Sequence, residues 1–156
     1  MEERCITHST FVIERRYAAP AERVFAAFEN PAKKRRWMAD ERGMDVEGFE
    51  MDFRPGGRER ARYRFREGSP FPGAALENNT QYLDIVANRR IVTAYTMTLG
   101  ERRFSASLAT FELVPDGDGT NLVFTDQGAY FEGADGPAMR ETGWRQLLDR
   151  AAAVIE

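Results

Sequence analysis

The order of its elements constrains this chain more than any single motif. One strand comes first, then a short helical stretch, then a long run of strands, then one amphipathic helix at the end. That last helix carries Met139, Trp144, Leu147, Leu148, Ala151 and Ile155, an apolar stripe at helical spacing. About six strand-like segments, joined by turns, lie between it and the first helix. A single helix facing one broad antiparallel sheet must bury its stripe against that sheet. Where the sheet curves strongly, helix and sheet cannot touch everywhere, and a cavity is left. The expected class is α+β.

An absence narrows the chemistry. The chain has one histidine, His8, and one cysteine, Cys5, both near its start. Most nucleophile–base pairs and metal-ligand spacings are therefore ruled out, and no metal or other cofactor is expected. A single cysteine allows no internal disulfide, which fits a reducing compartment. No apolar run approaches the ~18 residues of a membrane-spanning helix, and the first residues lack a secretory pattern. A cytoplasmic protein is expected. The length of 156 residues suits one domain over 1–156, with 1–8 as a flexible arm. A net charge of −3 argues against a nucleic-acid partner.

Local patterns place the elements. Thr10 to Tyr17 alternates, with Phe11, Ile13 and Tyr17 on one side, and reads as a strand. Pro20 opens a helix with Val24, Phe25 and Phe28 on its buried stripe. Asn30-Pro31 stops it and caps a second short helix ending near Trp37 and Gly43. Phe49, Met51 and Phe53 alternate up to the turn Arg54-Pro55-Gly56-Gly57, with Gly48 a candidate bulge. Ala61, Tyr63 and Phe65 share one face of the next strand; Arg58, Arg60, Arg62, Arg64 and Arg66 share the other. Gly68–Gly73 reads as a loop, Gln81–Ala87 and Ile91–Leu99 as a strand pair. Phe104–Val114 and Leu122–Thr125 pair across Asp116-Gly117-Asp118-Gly119. Residues from Gln127 to Pro137 read as a second loop, and Pro137 opens the last helix.

Few residues are placed for catalysis. The arginine ladder reads as a solvated face balanced by Glu50, Asp52, Glu77 or Asp84 on neighbouring strands. Asp126 and Glu141 are the carboxylates nearest to an enclosed position, but neither has a titrating partner in the sequence pattern, and no catalytic residue is assigned. The aromatic residues say more. Trp37, Phe53, Tyr63, Phe65, Tyr82 and Tyr95 fall on inward faces of the first half, with Met97 beside them. Phe111, Phe124, Met139, Trp144 and Leu148 do so in the second half. Apolar walls with a few hydroxyls are the usual composition of a small-molecule pocket.

In this order the pattern resembles the START-like, helix-grip superfamily, in the branch named after the activator of the ninety-kilodalton heat-shock chaperone's ATPase. The resemblance rests on Ala19-Pro20 with Val24-Phe25, on Trp37, and on Phe53-Arg54-Pro55-Gly56-Gly57. Tyr82-Leu83-Asp84-Ile85-Val86, Arg90-Ile91-Val92, Gly119-Thr120 and Gly143-Trp144 with Leu147-Leu148-Asp149 continue it. It implies a curved sheet of seven antiparallel strands wrapped on the C-terminal helix, two short helices after the first strand, and a hydrophobic cavity between helix and sheet. Fold does not fix function here. The first expectation is a binding protein for a small apolar or aromatic molecule. The mouth would lie near Gly68–Gly73 and Gln127–Pro137, and Tyr63, Tyr82 or Tyr95 would orient the polar end. The alternatives are a cyclase- or hydrolase-like enzyme using that cavity, and a stress-related or co-chaperone-type interaction module using the basic patch. A homodimer through an edge strand or outer patch is left open.

Overall fold

The first strand, β1 (Thr7–Tyr17), pairs with the last, β7 (Gly119–Tyr130), so the two ends of the sheet-forming chain meet. This is a computed structural model, and it describes residues 6–156; Cys5 lies outside the described residues. Between those strands run α1 (Ala21–Glu29), α2 (Pro31–Met38), β2 (Met44–Met51), β3 (Arg58–Phe65), β4 (Ala75–Val86), β5 (Arg90–Leu99) and β6 (Arg102–Asp116). The chain ends in α3 (Pro137–Ile155). One seven-stranded antiparallel sheet results, in the order β1-β7-β6-β5-β4-β3-β2. Of the residues expected as an arm over 1–8, Thr7 and His8 pair with Tyr130 and Ala129, and 1–5 lie outside the described residues.

Local chemistry accounts for the boundaries. Pro20 stands at the N-cap of α1, and the Asn30 side chain accepts a hydrogen bond from the Lys33 amide at 3.1 Å, capping α2. Register shifts between Val46 and Gly48, where the Arg62 guanidinium lies in the space a side chain at 48 would need. Gly56 takes φ +84°, as the β2–β3 turn requires.

Two strands are longer than the alternation of apolar residues indicates. β4 begins at Ala75, well before Gln81, and β7 continues through Gln127 to Tyr130, leaving only 131–136 as loop. In both extensions polar or small residues interrupt the inward face between Leu76 and Tyr82 and between Phe124 and Tyr130: Asn78 and Thr80 on β4, Asp126 and Gly128 on β7. The period-two signal fades there because the interior itself becomes polar, not because the strands end.

The apolar interior forms two clusters. The larger packs Phe11, Phe28, Trp37, Tyr82, Phe111 and Phe124 from the sheet and the small helices against Trp144, Leu147, Leu148, Ala151 and Ile155 of α3. Phe111 and Phe124 stack at 4.7 Å, and Trp144 lies 4.5 Å from Phe124. The smaller cluster joins Ala39, Met44, Ala61 and Tyr63 at the β2–β3 end. The Tyr17 hydroxyl donates to the Leu148 carbonyl at 2.6 Å and ties α3 to the edge strand.

Candidate functional site

The inward stripe of α3 begins with a charge. Met139, read as part of the apolar stripe, is 68% exposed; Arg140 takes the inward position and is buried. An arginine can replace an apolar residue there only because its donors are met. Its Nε and Nη2 donate to the two carboxylate oxygens of Asp135, both at 2.8 Å, and Nη2 donates to Ser105 Oγ at 2.9 Å. Its Nη1 donates to the Tyr95 hydroxyl at 3.1 Å. The guanidinium also faces the rings of Tyr95 and Tyr130. Burial pulls against its charge, and the bonds to Asp135 and the charge beside it outweigh that pull, so it stays protonated.

Tyr95 is the centre of this network. Its hydroxyl donates to Asp126 Oδ2 at 2.6 Å and accepts from Arg140 and from Trp144 Nε1, the latter at 3.2 Å. One proton and two lone pairs are thus used. Burial raises the Tyr95 phenol well above its ordinary range, and Tyr130 is pushed up to about 12, again chiefly by burial. Asp126 is fully buried, and desolvation raises its carboxyl above the usual range despite the Tyr95 bond and the Arg140 charge. Its Oδ1, Ser107 Oγ and the Tyr130 hydroxyl have no partner among the described residues.

A second buried group lies at the β3–β4 side. Lys34 Nζ meets Glu59 Oε1 at 3.0 Å, and the Tyr82 hydroxyl donates to the same oxygen at 2.6 Å. Lys34 also faces the rings of Phe28 and Trp37. The sequence pattern gives no hint of this ion pair, because Lys34 sits in a basic run and Glu59 between two outward arginines.

Beside the N-terminal half of α3 a cavity of about 140 Å³ remains. Its apolar wall comes from Met38, Met97, Met139, Trp144 and Leu147; its polar wall from Arg42, Asn78, Tyr95, Asp135 and Arg140. Gly143 of α3 faces it, and a methyl group placed on Gly143 would touch nothing within 4 Å. A larger hollow of about 790 Å³ lies on the outer face of β3–β6, open to solvent. Within it Arg60 pairs with Glu77. Arg62 pairs with Glu50, Arg64 with Glu47 and Arg66 with Asp45, so most of the ladder is a solvated, charge-balanced face; Arg58 has no ion pair among the described residues.

Of the residues expected to contact a ligand, Tyr95, Met97, Met139 and Trp144 line the cavity. Trp37, Tyr82, Phe111, Phe124 and Leu148 belong to the main core, with Phe53 packed against it. Tyr63 belongs to the smaller cluster, against which Phe65 packs. The hydroxyls of Tyr82 and Tyr95 are engaged inside the protein, whereas Tyr63 reaches only the Met38 carbonyl, at 3.5 Å. Asp135 brings the 131–136 loop to the rim; no residue of Gly68–Gly73 lines the cavity. Glu141 is half-exposed and pairs with Arg145 one turn on, at 3.0 Å. Met38, Arg42, Asn78, Asp135, Arg140, Gly143 and Leu147 are the lining residues not expected as contacts, though Leu147 was on the stripe. The sequence signal for this site that the aromatic pattern passed over is Gly143, a glycine within a helix that faces a sheet. Among the described residues no group of three or more His, Cys, Asp or Glu side chains could hold a metal ion, and no helix is long and apolar enough to cross a membrane.

A curved seven-stranded sheet closed on one long C-terminal helix, with two short helices after β1 and a cavity beside that helix, defines a helix-grip, START-like α+β protein. The family described as Activator of Hsp90 ATPase homolog 1-like protein matches residues 18–156, and the chain belongs to it. The crystal structure of the Mll3558 protein from Rhizobium loti is 46% identical, with 96% of this chain and 98% of that one covered and a TM-score of 0.84. An uncharacterized protein from Rhizobium leguminosarum is 37% identical over 99% of this chain and 98% of its own, with a TM-score of 0.90. The AHSA1-like protein from Aeromonas hydrophila is 20% identical over 94% and 92%, TM-score 0.68, and shares the fold. No curated protein matches the chain.

Proposed function

We propose that this chain, acting as one domain, binds one small apolar or aromatic molecule in the cavity between α2, α3 and the β4–β5 pair. The observation that carries this reading is Gly143. A glycine within a helix is less favourable than alanine by about 1 kcal/mol, and here the missing side chain opens onto a lined space rather than onto a close neighbour. Three methionines on the wall supply a polarizable surface that adapts to an occupant. A volume of about 140 Å³ suits a single ring, since an apolar cavity of ~150 Å³ accommodates benzene. Tyr95, Met97, Met139 and Trp144 are the contacts in this reading.

The protein purified from its own cells, weighed intact under native conditions and then extracted with organic solvent, is the test. A co-purifying small molecule that the Gly143→Leu variant loses is expected. A bare-chain mass, together with no shift of the melting temperature by single-ring probes at millimolar concentration, would overturn the proposal.

A further inference from the structure

Resting on that reading, we infer that the molecule is a compact carboxylate, its carboxylate held by Arg42 and Asn78 and its apolar body by the methionine wall. Polar capacity in the cavity is unequal. The Arg140 charge is answered by Asp135 directly and by Asp126 through Tyr95, and its Nε, Nη1 and Nη2 all donate, to Asp135, Ser105 and Tyr95. Arg42 differs. Its only hydrogen bond among the described residues is a long one, 3.4 Å from Nη1 to the Met38 carbonyl, and its guanidinium rests over the Tyr63 ring at 5.8 Å. No carboxylate among the described residues pairs with it, since the nearby Asp40 is taken by Arg35 at 3.0 Å.

Asn78 adds a second, independent observation. It is 7% exposed, its Oδ1 accepts from Thr80 at 3.4 Å, and its Nδ2 makes no hydrogen bond among the described residues. On the cavity wall, beside Arg42, that amide offers its N–H donors to an acceptor held in the cavity. Arg42 comes from the α2–β2 connection and Asn78 from β4, directly opposite Met97 in the sheet register, while Asp135 stands at the foot of α3. An acceptor group at the first pair therefore meets donors and a free positive charge. A planar carboxylate fits a guanidinium fork better than a hydroxyl or amide does.

Calorimetric titration of the wild-type chain with benzoate and with benzamide, its neutral isostere, tests this. Benzoate is expected to bind at least about tenfold more tightly, the size of one charge-assisted hydrogen bond at a half-exposed site. Arg42→Gln should reduce the benzoate preference over benzamide to about one; Arg42→Lys should restore part of it. Equal binding of the two probes, insensitive to Arg42→Gln, would overturn the carboxylate inference and leave the cavity reading standing. A benzoate preference that survives Arg42→Gln would overturn it too, by placing the anion elsewhere. Binding of neither probe would overturn both.

Discussion

Gly143→Ala should stabilise the protein, and the reasoning is quantitative. Position 143 lies seven residues into a nineteen-residue helix, so the full interior propensity applies. Replacing glycine by alanine there gains about 0.8–1.0 kcal/mol, through the lost backbone freedom of the unfolded chain and the added side chain. No steric penalty offsets this gain, because the new Cβ meets no atom within 4 Å. For a chain of this length, ~1 kcal/mol raises the melting temperature by about 2–4 °C. Scanning calorimetry or circular dichroism melts at fixed pH read the shift, and urea titration checks that the slope m is unchanged. Gly143→Leu extends the argument: it keeps the helix gain and fills the space with a side chain. That variant should melt no lower than wild type, yet lose the stabilisation a bound probe confers through mass action. A lower melting temperature for Gly143→Ala would refute the reasoning, since it would mean that the space is occupied or that α3 needs glycine for its packing.

Two further predictions concern the buried charges. The folded pKa of Asp126 lies above its ordinary value of 3.8, so the folded state holds this proton more tightly than the unfolded one. Its contribution is then most favourable below 3.8 and declines as pH rises through the raised folded pKa. The stability of Asp126→Asn minus that of wild type should rise across that window and level off above it; a flat difference curve would show that burial does not outweigh the opposing Tyr95 bond and Arg140 charge. For the Lys34–Glu59–Tyr82 group, Lys34→Met alone should cost about 3–5 kcal/mol by stranding a buried carboxylate. The triple change Lys34→Met, Glu59→Leu, Tyr82→Phe should recover most of that loss in urea unfolding, and a triple variant as unstable as the single one would refute the pairing.

The sequence makes the apolar half of this molecule legible and hides the polar half. Phe11, Ile13 and Tyr17 alternate as an inward strand face must, Gly48 sits where the bulge occurs, and Trp144, Leu147, Leu148, Ala151 and Ile155 face the sheet at helical spacing. Met139 and Arg140 show why the rest escaped. Hydropathy assigns the inward place to the methionine, yet the arginine holds it, because Asp135, Ser105 and Tyr95 converge on its donors from three separate segments. Periodicity along one element carries no record of partners on others. The same holds for Lys34 and Glu59, which are buried although each lies among surface charges. Aromatic composition pointed to a pocket, but most of those rings fill the interior, and the space that remains lies where charged and amide side chains replace them.

That coincidence has a physical cause. Toward its C-terminal end α3 approaches the sheet and small helices through Leu148, Ala151 and Ile155, all essentially inaccessible. Toward its N-terminal end the contact is made by Arg140, whose guanidinium spans from Asp135 to Ser105 and the Tyr95 hydroxyl. A hydrogen-bonded network has fixed lengths and cannot be compressed as an apolar contact can be repacked. It therefore holds this end of the helix at a set distance from β5 and β6, while Gly143, one turn further on, contributes no side chain to fill the gap beneath. Collapse of the cavity would require breaking bonds to a buried charge, which is costlier than leaving the space. The polar network and the cavity are in this sense one feature, and weakening the first, by Asp126→Asn or by loss of Tyr95, should loosen the shape of the second.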